Sequence, residues 1–164
     1  AVFSAGALMM SQFIKRSPEA VLPVLEQANR TLSDGRLADL PKSAFNVQAH
    51  QWEGGFAAER YLKFQAEPAE IEAFLKNSAS IKVGECKHFS PVYQRVPYPT
   101  NTENLDTKHY DFFQPNTSEC SWYDPTIRSN GRAWVIPGNA DGNNFGEVVV
   151  DDGTNTVFIR VTWS

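Results

Sequence analysis

The sequence is poor in the residues that most readily declare a function. Among 164 residues there are two cysteines, two methionines and three histidines. Two cysteines do not make a disulfide scaffold, which takes a denser framework. No apolar run reaches the roughly 20 residues that a membrane-spanning helix needs. There is no basic surplus either: 15 Lys and Arg stand against 19 Asp and Glu, for a net charge of −4. All of the excess acid lies in residues 83–164, with six basic and ten acidic side chains, while residues 1–82 carry nine of each. Affinity for nucleic acid comes largely from phosphate neutralisation, so this balance speaks against nucleic acid as a partner.

Catalytic signatures are missing as well. The chain has no G-x-S-x-G elbow, no P-loop, no dinucleotide-binding G-x-G-x-x-G and no H-E-x-x-H. The three histidines are His50, His88 and His109, and none sits in a nucleophile motif. A pair such as His50 with Glu53 or Glu59 has the right groups for acid–base chemistry, but spacing alone does not bring them together. A histidine on the polar face of a strand is more often simply solvated. The expectation is a non-catalytic protein without a cofactor, with a small hydrolase using His50 or His109 as a distant alternative.

What the sequence does contain begins at its N-terminus. Residues 1–14 carry no charge and end abruptly at Lys15-Arg16. The run lacks the leading positive charge of a signal peptide. Three readings stand: the tail of a longer span, a helix that docks on a partner through Val2, Phe3, Leu8, Met9, Met10, Phe13 and Ile14, or a plain core helix. Ser17-Pro18-Glu19 then reads as a new helix start, with Ser as N-cap and Pro in the first turn. Val21, Leu25, Ala28 and Leu32 follow at helical spacing, Pro23 should kink or delay the helix, and Asp34-Gly35 ends it.

From Phe45 the period changes to two. Phe45, Val47 and Ala49 alternate with Asn46, Gln48 and His50, and Gly54-Gly55 separates them from a second alternating run through Ala66, which predicts a hairpin. Glu67-Pro68 opens another helix, whose stripe of Ile71, Phe74 and Leu75 suits one face of a sheet. Near the C-terminus, Arg132–Ile136 is a short strand. Phe145–Val150 and Thr156–Trp163 flank Asp151-Asp152-Gly153-Thr154-Asn155, a turn rich in residues that tolerate positive φ.

Between these parts lies Gly84–Asn130, with five of the ten prolines and eight aromatic residues but little periodicity. So many aromatics argue against disorder and for an ordered, irregular excursion. Cys86 and Cys120 bracket most of it. A bridge between them would close a loop worth about 3–4 kcal/mol of chain entropy and imply an oxidising compartment. A zinc site from Cys86, His88, His109 and Cys120 has the wrong spacing for a finger or ribbon. Asn139, Asp141 and Asn143 place oxygens at alternate positions, like the start of a calcium loop. However, Asn144 stands where Gly is wanted and Val150 where a bidentate Glu is wanted, so Glu147 or Asp151 would have to substitute.

The fold expected from these signals is α+β, an antiparallel sheet of about five strands with N-terminal helices and one helix crossing the sheet, plus the long excursion. Residues 1–16 form a separate apolar segment and 17–164 one domain. The leading functional expectation is an accessory subunit that docks through residues 1–16 onto protein partners in a membrane-associated or multi-protein assembly, in an extracytoplasmic or membrane-associated location. The alternative is an extracytoplasmic ligand- or calcium-binding module with its pocket between the sheet and the excursion.

Overall fold

The structure, a computed structural model, describes residues 18–54, 57–82, 87–89, 120–125 and 130–163. The helix α1 (Pro18–Asp34) leads into a hairpin of β1 (Phe45–Gly54) and β2 (Ala57–Gln65). After α2 (Pro68–Asn77) come β3 (Lys87–Phe89), β4 (Gly131–Ile136), β5 (Phe145–Asp151) and β6 (Thr156–Trp163). All pairings are antiparallel, and the six strands lie in the order β1-β2-β6-β5-β4-β3. The architecture is therefore α+β. The strand that exceeds the expected five is β3, whose three residues are too few for a periodic signal.

The ends of α1 follow local chemistry. Pro18 opens the helix, where its missing N–H costs nothing. Pro23 lies inside the helix without ending it, and its ring is exposed. At the other end the left-handed residue is Arg36, with φ 53°, rather than Gly35. The Arg36 N–H donates to the Ser33 carbonyl at 3.0 Å, and the Leu37 N–H to the Leu32 carbonyl at 2.9 Å, the paired bonds of a Schellman cap. Gly35 instead serves close packing: a Cβ there would lie 3.1 Å from side-chain atoms of Leu37 and Val161. The Arg36 guanidinium donates to the Pro137 carbonyl, and at 3.4 Å to that of Asn144, fastening the helix end to the loop between β4 and β5.

One departure from simple alternation occurs in β1. Asn46 has φ 51°, and the register shifts between Phe45 and Gln48. This bulge puts Phe45 opposite Gln65, on the side of Gln48 and His50, whereas Val47 and Ala49 face the core. Alternation from the sequence alone had placed Phe45 with Val47.

The main core lies between the helices and one face of the sheet. Ala28 and Leu32 from α1, and Ile71, Phe74 and Leu75 from α2, meet Leu62, Phe64, Trp134, Ile136, Val148, Val150, Val157, Ile159 and Val161. The rings of Phe64 and Phe74 meet edge to face at 5.6 Å. Two ionic clamps close the margins. Arg60 lies 2.6 Å from Asp34 and stacks over Trp163, and Arg132 bridges Glu72 of α2 to Asp152 of the last turn. At the start of α2, the Glu67 N–H donates to Ser43 Oγ, while the Ser43 N–H donates to the Glu70 carboxylate, whose pKa these contacts lower.

At Gly146 the backbone of β6 leaves no room for a side chain on β5. A Cβ at this position would lie 1.9 Å from the Arg160 carbonyl oxygen, which is backbone and has no rotamer to yield. Gly146→Ala is therefore expected to lower stability by about 3 kcal/mol or more in urea unfolding. An unchanged midpoint would show that the strands separate without cost.

Candidate functional site

Cross-strand partners share a face, so the register assigns the second face of the sheet, turned away from the helices. One row across it reads His50, Tyr61, Arg160, Glu147 and Val135, from β1 through β2, β6 and β5 to β4. The next row reads Trp52, Glu59, Thr162 and Phe145. On the other side of the polar row lie Lys63, Phe158, Val149 and Ala133. This outer face carries charged groups at its centre, where the inner one carries apolar side chains.

Residues 120–125 cover part of it. Cys120 and Tyr123 are buried with Tyr61, Ala133, Val149 and Phe158 in a second, smaller cluster. The Tyr123 ring meets Tyr61 at 5.0 Å and Phe158 at 5.7 Å, both edge to face, and Trp122 flanks it at 6.1 Å. The far rim is open. Trp52 and Phe145 are each 42% exposed, and Val135 is 55% exposed directly across from Glu147. These three are the large exposed apolar side chains among the described residues, and all of them project from this face.

The centre of the site is ionic. The Arg160 guanidinium lies 2.6 Å from Glu59 Oε1, and the Tyr61 hydroxyl donates to Glu59 Oε2. Arg160 and Glu59 are both mostly buried, with 14% and 15% of their side chains exposed. Burial opposes the Arg160 charge, but the hydrogen bond and field of Glu59, helped by Glu147, carry its pKa above the ordinary value. Burial pushes the Tyr61 phenol up, and the Glu59 hydrogen bond adds to this.

Glu147 is in a different position. It stands opposite Arg160 in the ladder and is 6% exposed, yet its Oε1 accepts no hydrogen bond from the described residues. Burial pushes its pKa up to about 7, and the Arg160 charge only partly opposes this. The Tyr123 hydroxyl is also buried and without a hydrogen-bond partner among the described residues, and its pKa is raised by burial and then by the field of Glu147. The site thus combines an ion pair with a carboxyl oxygen and a phenol that have no hydrogen-bond partner among the described residues. Chemically it offers two donors when Glu147 is protonated, and a proton acceptor when it is not.

The residues singled out from the sequence are scattered. Val2, Phe3, Leu8, Met9, Met10, Phe13 and Ile14 lie outside the described residues, as do Cys86 and His109. Cys120 is buried in the second cluster, and no disulfide forms among the described residues. The calcium candidates do not converge. Asn139 and Asn143 are joined through their backbones in the β4–β5 loop, with a 2.7 Å bond from the Asn139 N–H to the Asn143 carbonyl, and Asp141 is exposed. Glu147 is buried beside Arg160, whereas Asp151 ends β5 far from that loop and accepts from the Gly153 N–H at 2.9 Å. Among the described residues no group of three His, Cys, Asp or Glu side chains is placed to hold a metal ion. Glu59 lies on the same face as His50, but its carboxylate is engaged by Arg160 and Tyr61. A separate cleft of about 410 Å³ between α1 and β1 is lined by Pro23, Glu26, Gln27, Arg30 and Gln51, with Arg30 pairing to Glu26.

Tyr61, Tyr123 and Arg160 were not singled out by motif. For Arg160 the signal lay in the last hairpin: once Asp151 opposes Thr156, the count along the strands puts Glu147 opposite Arg160.

The raised Glu147 carboxyl makes stability depend on pH with a definite sign. Between its ordinary value of 4.5 and about 7 the folded chain holds a proton that the unfolded chain releases. Stability is therefore lost as pH rises through this window, by about 3 kcal/mol for this group. The difference in unfolding free energy between the wild type and Glu147→Gln, measured from pH 4 to pH 8, should fall by about that amount as pH rises. A difference that is constant with pH would mean that Glu147 ionises as an ordinary carboxylate.

Among the described residues no helix is long and apolar enough to cross a membrane. No family model, no curated protein and no solved structure matches the chain.

Proposed function

We propose that the protein is a ligand-binding module whose site is the outer face of the sheet, between the residue 120–125 segment and the open rim at Trp52, Val135 and Phe145. The observation that carries this reading is the buried Glu147 carboxyl, with an oxygen that has no hydrogen-bond partner among the described residues, beside apolar side chains left exposed. A buried polar group without a partner costs about 1–3 kcal/mol, so a fold that keeps one next to an open apolar rim is suited to an incoming molecule that completes it. Thermal-shift measurements against small molecules that join an apolar body to one polar group test the reading. A true ligand at a hundredfold excess over its Kd stabilises by about 2.7 kcal/mol, a rise of several degrees in Tm. Phe145→Ala and Val135→Thr, both at exposed positions, should leave the ligand-free Tm nearly unchanged and weaken that ligand about tenfold. Ligands that bind these variants as tightly as the wild type would place the site elsewhere.

A second reading is favoured by the uncharged run of residues 1–14 followed by Lys15-Arg16. In it the chain is an accessory subunit, held by residues 1–16 to protein partners in a membrane-associated or multi-protein assembly, and an extracytoplasmic location rests on a Cys86–Cys120 bridge. Deleting residues 1–16 should leave a folded domain that no longer co-purifies with its partners. Unfolding on deletion would make the run part of the core and remove the support for docking.

A further inference from the structure

The outer face selects its ligand by charge, and the selection follows from where the ionic groups stand. Arg160 is directly opposite Glu147 across the β5–β6 ladder, so a cationic group brought to Glu147 would lie against a buried guanidinium. An anionic group would meet the Glu59 carboxylate across Arg160. Glu59 and Arg160 already neutralise each other at 2.6 Å, and like charges in such a partly desolvated cluster are costly. A neutral dipole avoids both repulsions. Glu147 Oε1 and the Tyr123 hydroxyl, which like Thr162 Oγ1 on this face have no hydrogen-bond partner among the described residues, lie within reach of each other's field, and both groups are donors while Glu147 is protonated.

We propose that the site takes a neutral ligand whose carbonyl oxygen accepts hydrogen bonds from the Glu147 carboxyl and the Tyr123 hydroxyl, with its apolar body along Val135 and Phe145. This rests on the ligand-binding reading of the outer face. Val135 flanks Glu147 on β4, and Phe145 lies two residues before it on the same face of β5, so the exposed apolar surface adjoins the buried donors. The titratable and charged groups around Glu147 are Arg160 on β6, Glu59, Tyr61 and Lys63 on β2, and His50 on β1. Tyr123 and Asp124 come from the covering segment, and β4 presents only Val135 at this level. The Lys63 ammonium is held over the Phe158 ring at 5.7 Å. Ionised Glu147 has no proton to donate, so the binding-competent fraction shrinks as it titrates.

Three naphthalene dyes of similar size test the proposal on the full chain: the neutral ketone 6-propionyl-2-(dimethylamino)naphthalene, the anion 1-anilinonaphthalene-8-sulfonate and the cation dansylcadaverine. Fluorescence titration should give saturable binding of the ketone at pH 6, and about tenfold weaker binding at pH 8, as expected for a competent fraction set by one group titrating near 7. Glu147→Gln keeps a donor and should bind the ketone equally at both pH values, while Glu147→Leu and Tyr123→Phe should weaken it at pH 6. Each variant's circular dichroism reports whether it is folded. If the ketone binds with the same affinity at both pH values and in Glu147→Leu, the proposal is overturned. If a charged dye binds in preference and is weakened by Phe145→Ala, the proposal falls while the outer-face site stands. Binding of none of the three overturns both.

Discussion

Arg160 has two carboxylates beside it and forms its short ion pair with one of them. Its guanidinium lies 2.6 Å from Glu59, which the Tyr61 hydroxyl also engages, while Glu147 feels Arg160 through its field and its Oε1 has no hydrogen-bond partner among the described residues. That inequality makes Glu147 a buried acid that holds its proton close to neutral pH. It exists because β6 is held between β2 and β5, strands far apart in the chain. Both faces of β6 are covered, with Val157, Ile159 and Val161 in the main core and Phe158 against Tyr123. Without β6 in that place there would be neither a continuous sheet nor a polar row.

The two faces of the sheet solve different problems. On the helix side every large side chain finds an apolar neighbour, and the ionic groups are pushed to the margins, where Arg60 meets Asp34 and Arg132 meets Glu72 and Asp152. On the outer side the ionic groups occupy the centre and the exposed apolar groups stand at the rim. A face that served stability alone would place them the other way round, since a buried ion pair often contributes less than apolar packing of the same volume. This inversion is the physical basis for assigning recognition to the outer face. The close approach at Gly146 belongs to the same construction, because it brings β5 against the backbone of Arg160 one residue from Glu147.

Much of the fold was legible in the sequence because the signals were local. The period of two in Thr156–Trp163, the turn residues after Asp151 and the Ile71, Phe74, Leu75 stripe each named an element that the structure contains. Local signals failed where geometry overrode alternation or propensity. The bulge at Asn46 moved Phe45 to the outer face, and the left-handed cap fell on Arg36 although Gly35 was available. The site was less legible. Glu147 was noticed only as an oxygen ligand near a polar loop, since nothing in its immediate neighbourhood says that it is buried. Tyr123 depends on a covering segment that has no period at all. Their grouping needs the long-range pairing of β2 with β6, which no spacing motif encodes.

The central claim is that Glu147 remains a protonated carboxyl close to neutral pH because it is buried without a full partner. Its side-chain carboxyl carbon can be followed directly by carbon-13 NMR from pH 3 to pH 9, with the resonance assigned by its loss in Glu147→Gln. The account predicts a titration midpoint near 7. A midpoint at or below the ordinary carboxylate value of about 4.3 would contradict it, because the group would then be charged and satisfied throughout the neutral range.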